Sequence, residues 1–116
     1  MNSHINKSID LDRLKESLLS IGFPDDEADT QLANLCEVIS LSIASRISTE
    51  ILRQNTIDWQ MIEQYVVENP NDKDLVNIFS KEPAIVVENY LKEITVALPD
   101  DKRKEVLEKN NFQFEA

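Results

Sequence analysis

Residues 26–54 constrain this chain more than any other stretch. Within them Ala28, Leu32, Leu35, Ile39, Ile43, Ile47 and Ile51 recur every three or four residues, the spacing of one face of an α-helix. A helix of that length spans roughly 43 Å at about 1.5 Å per residue. No charged residue falls between Val38 and Ser45, and Ser40, Ala44 and Ser48 form a second stripe of small residues at a spacing of four. The segment therefore reads as a central helix covered on several sides. A competing pattern is present, because Ile39, Leu41 and Ile43 alternate with serines as in a strand. The helical period on both sides and the lack of turn residues favour helix, with a break near Ser45 to Ser48.

The remaining elements fall around this helix. Asp10 is placed to cap a first helix carrying Leu11, Leu14, Leu18 and Ile21. Gly22 is the only glycine in 116 residues and fits the left-handed position that closes that helix. Asp25 and Asp26 are placed to cap the long helix. A helix is expected from Ile57 to about Glu68, after a stop at Asn55 and Thr56. A short helix then runs from Asp72 to Ser80, and another from Ala84 to Leu98 begins just after Pro83, the first-turn position suited to proline. Asp100 and Asp101 are placed to cap a last helix ending near Lys109. The reading is an all-α bundle of five or six helices in one domain, residues 10–109. A polar tail at 1–9 precedes it and a tail at 110–116 follows. With 41% apolar and 29% charged residues, a chain of this length can bury a core without metals or disulfides.

The order of elements carries a resemblance. A Leu-rich helix ends in Ser20-Ile21-Gly22-Phe23, and a long helix holds Ile43-Ala44-Ser45-Arg46-Ile47. Ile57-Asp58-Trp59, Glu68-Asn69-Pro70-Asn71-Asp72 and a helix with Val86-Val87-Glu88 follow. Over about residues 11–98 this resembles a family of small helical domains of unknown function, found mainly in candidate-phyla bacteria. The resemblance implies the helical fold and transfers no activity or functional residue. Family members carry more Glu and Leu in the middle of the long helix, where this chain has serines.

Few chemistries fit the composition. The formal charge is −10, which argues against binding a nucleic-acid backbone or an anionic membrane. No apolar run is long enough to span a membrane, and the N-terminal residues lack a signal core. Cys36 is the only cysteine, so no internal disulfide forms, and a cytoplasmic location is expected. Cys36 is read as a packed core or near-core residue. His4 is the only histidine, so no Ser-His or Cys-His pair is expected in the helices, and zinc and di-iron ligand sets are missing. Phosphate-cradling loops need more glycine than this chain has. Asn69, Asn71, Asp72 and Asp74 read as a turn and helix cap, since calcium-loop spacing is lacking. No enzyme activity, cofactor or metal is expected.

Charge distribution is the more informative signal. Residues 16–45 contain six acids and no Lys or Arg: Glu16, Asp25, Asp26, Glu27, Asp29 and Glu37. Residues 54–72 repeat the pattern with Asp58, Glu63, Glu68 and Asp72. Acids near helix starts suit the helix dipole, which accounts for Asp25, Asp26, Glu27 and Asp29 better than for Glu37, Glu63 or Glu68. Arg46 and Glu50 are spaced for a surface ion pair that continues to Arg53. Trp59 and Met61 read as core or boundary residues, although Trp is favoured at binding hot spots. Phe112 and Phe114 suit either docking on the bundle or recognition by a partner. The candidate interaction surface is thus Asp25, Asp26, Glu27, Asp29, Glu37, Arg46, Glu50, Trp59, Glu63, Glu68, Phe112 and Phe114. The expected function is a protein-interaction module, either a homodimer or the ligand of a basic protein. The alternative is an acidic inhibitor or nucleic-acid mimic that blocks a basic site.

Overall fold

In the computed structural model of the protein, residues 9–114 are described; the N-terminal eight residues, including His4, and the last two lie outside the described residues. Five α-helices follow one another, α1 (Leu11–Ser20), α2 (Asp25–Arg46), α3 (Trp59–Glu68), α4 (Lys73–Ile94) and α5 (Asp100–Lys109). A π-helical turn, Ile47–Ile51, extends α2. No strand occurs among the described residues, so the alternation around Leu41 is resolved as helix. α2 and its π turn form the long central element.

Local chemistry sets the boundaries. Asp10 Oδ1 accepts from the Arg13 N–H at 3.2 Å, capping α1. Gly22 stands at φ +112°, and the Phe23 N–H reaches back to the Leu18 carbonyl at 3.1 Å, the two-bond closure that favours glycine at the left-handed residue. Pro24 is the N-cap of α2 and Pro99 that of α5, so Asp25, Asp26 and Glu27, and likewise Asp100 and Asp101, occupy first turns and are not side-chain caps. They act through the dipole instead. The π turn begins where Thr49 Oγ1 donates to the Ser45 carbonyl at 3.0 Å. Such back-bonding competes with the α ladder and bends helices. The Leu52 N–H then takes the Ile47 carbonyl at 3.0 Å, and Arg53 turns the chain at φ 57°. The expected start of α3 moves from Ile57 to Trp59, because Asp58 Oδ1 accepts from the N–H groups of Gln60 and Met61.

The main departure from the sequence reading is α4. The two helices expected around Pro83 are one helix of 22 residues with Pro83 inside it. An interior proline removes one ladder bond and costs about 3 kcal/mol. Burial on both sides of the proline offsets that cost: Leu75, Ile78, Val87 and Leu91 are all buried, and each large apolar side chain contributes roughly 1.5–3 kcal/mol.

Two apolar clusters lie along the α2–α4 pair. Leu14, Leu35, Val87, Leu91, Val106, Leu107 and Phe112 form one; Ala44, Ile47, Ile62, Leu75 and Ile78 form the other. Between them in both helices sits a polar link, in which the buried Glu82 receives Ser42 Oγ and Arg46 Nε at 2.9 Å. The radius of gyration is 16.1 Å, against about 13 Å for a compact chain near this size. Spreading the helices lengthwise in this way leaves more of each one uncovered.

Ser48 is 2% exposed, and its hydroxyl has no hydrogen-bond partner among the described residues. An unsatisfied buried hydroxyl costs about 1–3 kcal/mol. Ser48→Ala is therefore expected to raise the urea midpoint, by about 1 kcal/mol of stability. A midpoint equal to or below the parent's refutes this.

α3 is tied to α4 by a second polar contact. The Tyr65 hydroxyl donates to Asp72 Oδ2 at 2.7 Å, while Asp72 Oδ1 caps α4 at the Leu75 N–H. The Tyr65 bond, and after it the Leu75 N–H, hold the Asp72 carboxyl below its ordinary value. The same bond raises the Tyr65 phenol. The Asp72 contribution is thus present above the ordinary aspartate value and is lost as pH falls through the lowered one. The Tyr65 contribution is present below the ordinary phenol value and is lost as pH rises through the raised one. Tyr65→Phe should therefore melt lower than the parent at neutral pH, with the difference closing in strong acid. A gap that stays constant across an acid series of melts would contradict the linkage.

Candidate functional site

The candidate residues of the sequence reading do not form one site. Asp25 and Asp29 are held by Lys15 of α1, at 3.2 and 2.9 Å. Asp29 and then Asp25 raise the Lys15 ammonium above its ordinary value. These two acids thus fasten α1 to the start of α2. Asp26 is exposed and accepts from its neighbour's N–H. Arg46 bridges Glu50 at 2.7 Å on its own helix as well as Glu82 on α4, so it serves the α2–α4 junction. Glu63 and Glu68 lie with Gln60, Gln64 and Val67 on a shallow outer face of α3.

The aromatic candidates separate. Trp59 is 52% exposed and Met61 39%, so neither is core; Ile62 is the buried residue of α3. Phe112 is buried in the first cluster, and Phe114 packs against that cluster with the Arg103 guanidinium 5.5 Å from its ring. Residues 110–114 therefore dock on the bundle. Asn111 adopts φ 67°, and the Phe112 N–H bonds the Leu107 carbonyl at 2.8 Å, which turns the chain back over α5. Cys36 is exposed, in contrast to the expected core position, because it points away from the face that Leu35 buries.

One concave surface was not anticipated. α2 and α4 run antiparallel, and a groove of about 370 Å³ opens between them. Leu35 and Val38 line it from α2, and Val86, Tyr90 and Glu93 from α4. The Tyr90 hydroxyl donates to Gln31 Oε1 across it at 2.7 Å, and burial raises the phenol of Tyr90. The groove continues into an apolar strip. Leu41 is one turn beyond Val38 on α2, and Ile85 is one turn before Asn89 on α4; Val38, Leu41 and Ile85 are 50%, 45% and 42% exposed. The sequence signal for it was the uncharged span from Val38 to Ser45, read there as burial within the bundle.

Among the described residues, no group of three or more His, Cys, Asp or Glu side chains is placed to hold a metal ion. Among the described residues, no helix is long and apolar enough to cross a membrane. Comparison with protein-family models, with curated proteins and with solved structures finds no match. The function is therefore read from the chain's own residues.

Proposed function

We propose that this chain is a non-enzymatic helical protein-interaction module that engages a partner polypeptide through the α2–α4 groove. The supporting observation is the apolar surface of Val38, Leu41 and Ile85, each exposed beside the groove that Leu35 and Val86 help to line. Contiguous exposed apolar surface rimmed by polar groups marks interaction sites, and a groove between two helices suits the apolar side of a third. A second copy of the chain and a basic protein are the two occupants this reading admits.

The test is a photo-cross-linking amino acid at Val38, compared with one at Glu108, which is exposed on α5. Trapping of a defined polypeptide from Val38 and not from Glu108 supports the reading. Equal, diffuse labelling from both positions overturns it.

A further inference from the structure

Resting on that reading, we infer that the occupant of the groove is an amphipathic helix with basic residues gathered at one end. The α2 wall has a direction. Glu27, Gln31, Asn34, Val38 and Leu41 follow one another at helical spacing, so one strip runs from an acid to exposed aliphatics. Because Gln31 faces Tyr90 while Ser42 faces Glu82, α4 runs the opposite way. Glu93 therefore lies at the same end as Glu27, and Ile85 lies near Leu41. The groove is acidic at one end and apolar at the other.

The acids at this surface are uncommitted. Glu93 lines the groove and Glu27 lies one turn before Gln31; both are exposed, and neither makes an ion pair among the described residues, unlike Asp25, Asp29, Glu50, Glu82 and Glu88. Glu37, also exposed, is not among the lining residues. Lys92, the nearest base on that part of α4, is paired with Glu88 at 3.3 Å, and no Lys or Arg lines the groove. A second copy would bring the same acids and no base to the contact, and the chain already carries −10. A helix with aliphatic residues on one face and Lys or Arg at one end satisfies both ends at once, since complementary charge fixes orientation and speeds encounter.

The experiment measures fluorescence anisotropy with synthetic amphipathic helical peptides. Their leucines stand at i, i+3, i+4 and i+7; arginines are confined to one end, at either terminus, or glutamates replace them. One arginine peptide is expected to bind at least about tenfold tighter than the glutamate peptide. Its affinity should weaken as salt shortens the screening length from about 10 Å at 0.1 M to about 3 Å at 1 M. Val38→Asp should abolish binding. Glu93→Lys, at an exposed rim position, should weaken the arginine peptide and strengthen the glutamate one, a reciprocal change that loss of folding does not produce. Affinities indifferent to peptide charge, or to Glu93→Lys, overturn the inference. So does a second copy of this chain trapped at Val38, which leaves the module reading intact; diffuse labelling there removes both.

Discussion

Phe112→Ala is expected to destabilise the fold by about 3–5 kcal/mol, the usual effect of emptying a buried aromatic site. The ring is 5% exposed among Leu14, Leu35, Val87, Leu91, Val106 and Leu107, where residues from five segments meet and little can collapse into the void. A typical domain is stable by only about 5–15 kcal/mol, so thermal unfolding should fall by at least about 10 °C. Phe114→Ala provides the contrast, because that ring is only half-buried and lies against Arg103. Calorimetry of the two variants decides the matter. If both melt within a degree or two of the parent, residues 110–114 do not belong to the core.

Leu91→Ala should have a similarly large effect, about 2–5 kcal/mol. Leu91 has no exposed surface and belongs to the cluster that joins α1, α2, α4 and α5. Leu41→Ala, on the open strip of α2, should change stability by no more than about 0.5 kcal/mol, as surface substitutions do. Both positions hold leucine in a long helix, so the contrast isolates coverage from residue type. Denaturant titration measures both. A Leu41 variant as damaged as the Leu91 variant would mean that the strip is already covered, and the groove would lose its standing as a binding surface.

The helical class and most helix ends were legible because their signals are local. Asp10, Gly22 and Lys109 act within a turn of where they stand. Asp72 also read correctly as a cap, and its bond to the Leu75 N–H is of that kind. Pro83 misled for the same reason. A proline carries a strong local signal to start a helix, and only the shared burial of Leu75, Ile78, Val87 and Leu91 keeps the helix continuous through it. Trp59 and Cys36 misled in the opposite sense. Residue type favours burial for both, but position on the helix turns both outward.

The candidate site was less legible. Its acids were grouped by their closeness in sequence, whereas Lys15 removes Asp25 and Asp29 from that group and Glu82 recruits Arg46 into the α2–α4 junction. Glu93, Ile85 and Tyr90 come from a helix some fifty residues downstream, and no spacing rule links them to Val38.

Apolar period, caps and turn residues by themselves determined that this chain forms helices and, α4 apart, roughly where they begin and end. These depend on backbone bonds and neighbours within four residues. Only the tertiary structure decided which apolar stripes are covered. α2 carries more aliphatic surface than α1 and α4 bury, so Leu35 is enclosed while Val38 and Leu41 face water. Coverage is a property of the pair of surfaces that meet, and a single helix's sequence describes only one of them.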